Sequence, residues 1–519
     1  MARLYEFQSK ALLRGGGVPV PEGAVASSPA EARAIAEKLG RPVVLKIQVW
    51  VTGRAGLGGI QFADTPAEAE EKAARLLGMK VKNFVVDKIL VEEKLAVEFE
   101  YFAGIVMDDA AKRPLLVFSS VGGTGVEDIV RKHPDKVVRR TIDVRTGLRE
   151  FEARNMVLRS GISGPALLQI SDLLTKLASV ARVYDARSVE VNPLVRTVDG
   201  RILAADCHLV VDDYAVYRHP DLGIEIAREF DRPPTELERV AYKAEEKDYR
   251  GTFYFLQMAE KAEEGRTLIG FHGAGGGGSM MSMDAVQSRG FTVANYCDTS
   301  GNPPASKVYR AAKVILSQPG IKGYFASGSG VASQEQYNSA RGLVKAFAEE
   351  NLAIPAVIRL GGNFEEEAIQ ILGTYLQDLP GRVEAFGRDD PPEACAARLA
   401  DLVAEGGGIS HEVRPMKEPL IQTSAYSFAT LTGRISIDHS QCLHCESKGC
   451  ISACAPRILK VDEDGRPVLA ISEPEAKKGK CTECLACELY CRFHEKQAVT
   501  IELPIPGLKE YRDGIAGKS

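Results

Sequence analysis

The 519-residue chain is short of several things, and each shortage closes off a function. Charge of one sign is missing: 65 Lys+Arg against 70 Asp+Glu leaves a formal net charge of -5, so no basic excess marks the chain for nucleic acid or an anionic membrane. No uninterrupted apolar run approaches the roughly 18 residues of a membrane span. The opening stretch MARLYEFQSKALLRGGG reads as a short amphipathic helix without the apolar core of a signal peptide, so a cytoplasmic protein is expected. Heptads and solenoid repeats are absent from the pattern. Cysteine is scarce over most of the length, with only Cys207, Cys297 and Cys395 before position 442, which excludes a disulfide-stapled scaffold. What is present is ordinary for several globular domains: 45% hydrophobic and 26% charged residues.

The other eight of the 11 cysteines crowd between Cys442 and Cys491. Their spacing is Cys442-x2-Cys445-x4-Cys450-x3-Cys454, then Cys481-x2-Cys484-x2-Cys487-x3-Cys491. Three closely spaced thiolates wrap three corners of an iron–sulfur cube, and in a two-cluster arrangement the fourth ligand comes from the other motif. That logic assigns Cys442, Cys445, Cys450 and Cys491 to one [4Fe-4S] cluster and Cys481, Cys484, Cys487 and Cys454 to a second. Two zinc sites are the alternative, but paired C-x2-C knuckles fit tandem triplets poorly. His444 and His494 read as exposed loop residues among the thiolates. The segment from about 431 to 505 resembles bacterial-type two-cluster ferredoxins, which implies a small α+β iron–sulfur domain. Electron relay is its expected role, with a structural or redox-sensing role as the alternative.

Upstream, residues 1–240 alternate β-rich runs such as VVLKIQV (43–49), ILVEE (89–93) and SVEVNPLV (188–195) with helical patterns. The charged stretch 232–250 reads as a solvated connection. Between 251 and 405, strands TLIGF, FTVANY, GYFASG, AVIRL and VEAFG interleave with helices, the pattern of a doubly wound parallel sheet. Residues 406–430 read as a linker.

Chemistry-bearing residues fall in both regions. Lys46 interrupts an apolar strand, where an ammonium is costly unless it meets an anion, so a phosphate contact is expected. The glycine-rich turn from Gly53 to Gly59 offers backbone N–H groups to phosphate oxygens. Strand alternation puts Glu190 and Asn192 on one face, with Asp206 arriving from the neighbouring strand; oxygen donors of this kind suit Mg2+. In the second region His272 opens a glycine turn, HGAGGGGS, at a helix N-terminus, an anion-binding geometry. A dinucleotide fold is the rival there, with Asp298 as its acidic residue.

Together and in this order, LYEFQSKALL, ILVEE, EVNPLV, HGAGGGGSM, NYCDTSGNPP, ASGSGVASQEQ and VIRLGGN resemble the β subunit of succinyl-CoA synthetase. The resemblance implies an α/β multidomain chain: an ATP-grasp domain followed by a flavodoxin-like, doubly wound parallel sheet. It implies ATP/ADP and Mg2+ as cofactors, with Lys46, Gly53 and Arg54 near the phosphates, Glu92 at the base-binding hinge, and Glu100 also in the nucleotide site. Asn192 and Asp206 match the Mg2+ ligands. Glu190, catalytic together with Lys46, matches a carboxylate that steadies a phosphohistidine. That histidine belongs to a separate α-type subunit, which also binds CoA and is the expected partner.

Departures fall on the acid site, formed by His272, Gly330 and Gln334. The family's glycine turn begins with Asn, and an arginine stands where this chain has Gln334. Loss of a bidentate carboxylate clamp argues for an acid other than succinate. An ADP-forming acid–CoA ligase subunit carrying two clusters is therefore expected. The alternative is an electron-transfer subunit that couples nucleotide hydrolysis to electron flow through a donor or acceptor protein.

Overall fold

The structure is a computed structural model. It describes all residues except 1, 52, 123–130, 229–231, 247–252, 329, 407–409, 417–424, 495–496 and 518–519, and the side chains of 493 and 494. The His494 side chain, Ser329 of the third glycine landmark and part of the expected 406–430 linker thus lie outside the described residues. The chain forms two units, residues 1–234 and 235–519. No described helix is long and apolar enough to cross a membrane.

Two larger antiparallel sheets and a small two-stranded one (Lys80–Val81 with Phe84–Val85) are described in the first unit. Helix α1 (Glu6–Gly15) precedes strand β1 (Gly23–Ala26), helix α2 (Pro29–Leu39), β2 (Val43–Ile47), β3 (Ile60–Ala63), α3 (Pro66–Leu76) and β4 (Ile89–Glu93). The strands pair in the order β1-β4-β2-β3, all antiparallel. α2 and α3 start alike: Ser28 and Thr65 accept a hydrogen bond from Glu31 and Glu68 N–H, and proline occupies the first turn, where its missing N–H costs nothing. The alanine faces of these helices pack on Val43, Leu45 and Ile47. Strand alternation therefore turns Val44 and Lys46 to the opposite face.

The larger sheet follows: β5 (Val97–Asp108), β6 (Arg113–Ser119), β7 (Val137–Thr141), β8 (Ala186–Thr197), β9 (Ile202–Ala204) and β10 (Cys207–Val211), with α4 (Glu150–Arg159) and α5 (Gly164–Val183) between β7 and β8. Its described order is Ala2–Arg3, β10, β8, β5, β6, β7. α5 buries Ile170, Leu173, Leu174 and Leu177 against it.

In the second unit, α6 (Glu236–Glu245) leads to β11 (Tyr254–Gln257), β12 (Thr267–Ala274), α7 (Gly276–Ser288), β13 (Phe291–Val293), β14 (Asn295–Asp298), α8 (Ala305–Ile315), β15 (Tyr324–Gly328), α9 (Tyr337–Glu350), β16 (Ala356–Arg359), α10 (Glu365–Tyr375), β17 (Val383–Phe386) and α11 (Pro392–Glu405). The order is β11-β14-β12-β15-β16-β17, with β12, β15, β16 and β17 parallel and β11 an antiparallel edge. The stretch expected to be a solvated connection is, over 236–245, an ordered helix of this unit. Thr235 caps it, and Leu237, Val240 and Ala241 are buried in the unit's core.

The cysteine-rich segment adds β18 (Tyr426–Ala429), β19 (Arg434–Ile437), the hairpin β20 (Leu459–Val461) with β21 (Pro467–Leu469), helix α12 (Ala486–His494), β22 (Val499–Glu502) and α13 (Leu508–Ala516). β18, β19 and β22 form one antiparallel sheet. Apolar packing is continuous between this segment and the parallel-sheet layer: one buried cluster runs from Val308, Tyr324 and Phe347 to Phe428, Ile435, Cys487 and Leu489. Polar ties cross the same boundary. Lys345 on α9 meets Glu488 on α12 at 2.7 Å, and Arg512 donates to Ser317 Oγ at 2.7 Å while pairing with Glu350 at 2.9 Å. The expected linker is likewise partly built in: His411 is buried with its N–H on Ile321 O, and 426–429 is strand β18.

Candidate functional site

The face of β2 turned from the helices carries Lys46 into a buried ionic cluster. Its Nζ lies 2.9 Å from Glu6 Oε1 and 2.9 Å from Glu92 Oε2, and donates to Ala205 O at 2.6 Å. Lys10 makes a parallel set: Glu6 at 2.8 Å, Glu92 at 2.7 Å and Ala205 O at 2.8 Å. Arg54 closes the ring, with Nη1 2.7 Å from Glu6 Oε2 and Nη2 2.9 Å from both oxygens of Asp206. Three cations thus face three carboxylates. Burial works against the Lys46 ammonium, but Glu6, Glu92 and Asp206 outweigh it and raise its pKa above the usual lysine range. Burial likewise opposes charge on Glu6, yet Lys10, Lys46 and Arg54 hold its carboxyl well below the usual range.

Arg54 is set by the β2–β3 turn. Gly53 and Gly58 there adopt φ of 72° and 76°, the left-handed region that favours glycine. A Cβ on Gly59 would come within 2.4 Å of Ile47 Cδ1, so close packing also selects glycine. The antiparallel ladder of β8 and β10 pairs Glu190 with His208 and Val191 with Cys207, so Asn192 and Asp206 leave it from the same end. Asn192 Nδ2 donates to Glu190 Oε1 at 3.3 Å. A cavity of about 330 Å3 opens beside these residues, lined among others by Glu6, Trp50, Phe102, Glu190 and His208.

The structure therefore draws Lys46, Arg54, Glu92 and Asp206 together, and sets Glu190 on the cavity wall with Asn192 against it. Glu100 stands apart, exposed on β5 opposite Val195. Two residues that residue-by-residue reading did not single out, Glu6 and Lys10, complete the cluster. Their only local signal is an i,i+4 acid–base pair, which ordinarily marks a solvated helix face.

In the second unit the glycine landmarks gather at the carboxyl ends of β12, β15 and β16, where ligands of open parallel sheets bind. Asn302 Nδ2 donates to Ser333 Oγ and Asn302 Oδ1 accepts from Gln334 N–H, at 3.0 and 2.9 Å. Asn363 Nδ2 donates to Ser333 O at 2.7 Å. Gly330 has φ of 79°, and a Cβ there would lie 3.2 Å from the buried Arg359 guanidinium. Gln334 Nε2 donates to Pro303 O at 2.7 Å. Asp298 accepts from Gly275 and Ser300 N–H at 3.0 and 2.8 Å, so its carboxylate already occupies the glycine turn.

His272 is sealed in, only 4% exposed. Thr299 Oγ1 donates to Gly273 O and so accepts from Nε2, leaving Nδ1 to accept from Tyr324 OH at 2.7 Å. Burial lowers its pKa to about 4. The unfolded chain then binds the extra proton between about pH 6.5 and pH 4, so this group's stabilisation is lost as pH falls through that window. His272→Asn is expected to reduce the fall in urea midpoint between pH 7 and pH 4.5 by the equivalent of about 2–3 kcal/mol. Parallel acid limbs for the two proteins would contradict this.

The cysteines form two groups. Cys442, Cys445, Cys450 and Cys491 line one pocket with Lys448 and Pro467. Cys454, Cys481, Cys484 and Cys487 stand within electrostatic reach of one another. Ala498 and Val499 N–H donate to Cys491 Sγ at 3.1 and 3.3 Å. Burial, with neighbouring sulfurs second, pushes the free thiols of Cys442 and Cys450 up to about 11 and about 12. Among the described residues, no three His, Cys, Asp or Glu side chains converge as they would on a single metal ion. His444 is exposed.

Known families match both units. The ATP-grasp domain matches residues 3–196, and the ATP citrate lyase citrate-binding family matches residues 253–391. The GDP-forming succinate–CoA ligase β subunit of Thermus thermophilus is 39% identical over 383 residues, covering 74% of this chain and 96% of that protein. The chain belongs to the succinate–CoA ligase β-subunit family. Another member, the ADP-forming β subunit of Pyrobaculum arsenaticum, is 36% identical over 374 residues, covering 71% of this chain and 94% of the relative. Among solved structures, ATP citrate lyase from Methanothrix soehngenii, in complex with citrate and coenzyme A, shares the fold. Its TM-score is 0.63 at 20% identity, over 78% of this chain and 99% of that one.

Proposed function

We propose that this β-family chain is the nucleotide-binding subunit of an ADP-forming acid–CoA ligase, working with a separate α-type subunit and carrying two [4Fe-4S] clusters. The observation that carries the ligase reading is the buried group of Lys46, Arg54, Glu92 and Asp206 beside the cavity, in a chain that spans nearly the whole length of succinate–CoA ligase β subunits. The reaction joins an acid to CoA as a nucleoside triphosphate goes to diphosphate and phosphate. It passes through an acyl phosphate and a phosphohistidine on the α-type subunit, and runs in both directions. Lys46 and Arg54 stabilise charge on the transferred phosphoryl, where fixed cations shielded from water act most strongly. Glu190 steadies the incoming phosphohistidine. Asn192 and Asp206 are the donors that would hold Mg2+, which neutralises phosphate charge when bound.

The cluster reading is supported by Cys442, Cys445, Cys450 and Cys491 lining one pocket, and by Cys454, Cys481, Cys484 and Cys487 standing near one another, the two ligand sets proposed from the spacing. Backbone N–H donors on Cys491 are the second-sphere contacts that tune such clusters. When bound, the clusters supply one-electron relay, which implies an electron donor or acceptor protein.

The acid is one that does not need an arginine clamp, since Gln334 offers only an amide beside Pro303. Gln334→Arg is expected to raise kcat/KM for succinate about tenfold or more relative to the wild-type acid, which a panel of acids assayed for CoA-dependent ADP release would measure. The ligase reading is tested by anaerobic purification with the α-type partner, and by CoA-dependent release of ADP from ATP or of GDP from GTP. Absence of CoA-dependent turnover with every acid would overturn it.

A further inference from the structure

Glu6 is the one carboxylate of the buried cluster that touches all three cations. It has no counterpart among the roles assigned so far: it is neither at the base hinge nor among the metal donors. Its side chain is fully buried, and it also forms part of the cavity wall. It holds the two groups that the proposed function assigns to phosphate, Lys46 at 2.9 Å and Arg54 at 2.7 Å. Arg54 is in addition spent on both oxygens of Asp206 at 2.9 Å. Lys46, Arg54 and Asp206, the charged groups proposed for a nucleotide–metal complex, are thus each paired with a neighbour.

We propose that Glu6 is a built-in substitute for phosphate: its carboxylate keeps Lys46 and Arg54 charged, dry and fixed in place until nucleotide phosphate displaces it. Binding is then an exchange of ion pairs. Lys46 and Arg54 trade Glu6 and Asp206 for phosphate oxygens, and Asp206, released by Arg54, becomes available to a divalent cation. Lys10, the i+4 neighbour of Glu6, holds both Glu6 and Glu92 and keeps Glu6 from carrying its full charge onto Lys46 and Arg54. The alternative, that Glu6 merely satisfies buried cations as a structural ion pair, makes no signed statement about nucleotide affinity. This inference rests on the nucleotide site proposed above.

The two neighbours predict opposite signs. Glu6→Gln removes the competing anion, so Mg2+·ADP binds about three- to tenfold more tightly while kcat falls, because Lys46 is no longer fixed in place. Lys10→Gln leaves Glu6 to Lys46 and Arg54 alone, so Mg2+·ADP binds more weakly by a similar factor. The measurement is calorimetric titration of the 519-residue chain with Mg2+·ADP and Mg2+·GDP. The single tryptophan, Trp50, stands in the same cavity wall and gives a parallel fluorescence readout. Unchanged or weaker binding by Glu6→Gln overturns the inference. If that variant does not fold, Lys10→Gln decides: weaker binding supports the substitute role, and unchanged or tighter binding overturns it. Lys46→Met separates the two layers. If neither wild type nor Lys46→Met binds either nucleotide, the nucleotide site itself fails. If wild type binds, Lys46→Met does not and the Glu6 and Lys10 variants match wild type, only the role of Glu6 falls.

Discussion

Cys491→Ala is expected to lower the iron and sulfide content of the anaerobically purified chain from about eight to about four per molecule, and Cys454→Ala to do the same. The equality is the informative part, because each cysteine lies in the opposite sequence motif from the three partners it joins. Cys491 follows Cys487 on α12, yet it lines the pocket of Cys442, Cys445 and Cys450. Cys454 follows Cys450, yet it lies near Cys481, Cys484 and Cys487. Paramagnetic resonance of the reduced variants distinguishes the surviving centres: the cluster left in Cys491→Ala is the one lost in Cys454→Ala. Double loss in either variant indicates that one cluster is needed to fold around the other. Two zinc ions per chain, unaffected by reduction, would refute the iron–sulfur assignment outright.

Lys46→Met is the second large effect. The substitution leaves Glu6 and Glu92 without one of their two lysines in a site where neither is hydrated. Removing one partner from a buried ion pair costs about 3–5 kcal/mol, so the apparent melting temperature should fall by several degrees. Catalysis should suffer independently, by about 10^2- to 10^3-fold in kcat, because the role proposed for Lys46 is that of a fixed positive charge at the transferred phosphoryl. Lys46→Arg separates the two losses, since it preserves charge but not the compact single-point contact with Glu6 and Ala205 O. Stability near wild type with kcat still depressed is the expected outcome for that variant. Turnover by Lys46→Met within tenfold of wild type would remove Lys46 from the chemistry.

Much of this was legible because some residues violate their local pattern. A lysine in an apolar strand, glycines in a turn beside it, and alternating Glu190 and Asn192 each contradict the simplest packing, and all fall near one cavity. Glu6 and Lys10 were hidden for the opposite reason: they obey a local rule. An i,i+4 pair on a short helix is the commonest way to decorate a solvated face, and nothing within α1 tells that its face is buried by β2, β4 and β10. Helix α6 was hidden by composition. Its charges suggested a linker, although Leu237, Val240 and Ala241 already carried the 3, 4 spacing of a packed helix. His272 was visible as a polar residue at a glycine turn, but its enclosure by Tyr324 and Thr299 is a product of long-range sheet pairing that no window of sequence contains.

The shared core of the cysteine segment and the parallel-sheet layer has a consequence for the life of the protein in a cell. Phe428, Ile435 and Leu489 are covered by the same buried cluster as Val308, Tyr324 and Phe347, and the Lys345–Glu488 pair is as dry as either. A segment joined in this way cannot open alone; local opening would expose the flank of the neighbouring layer, so the two halves share one unfolding event. Under the proposed cluster assignment, loss of iron would unsettle this segment and the parallel-sheet layer together. Such a chain would present Phe347 and its neighbours to cellular proteases, so that iron supply would set the amount of this protein.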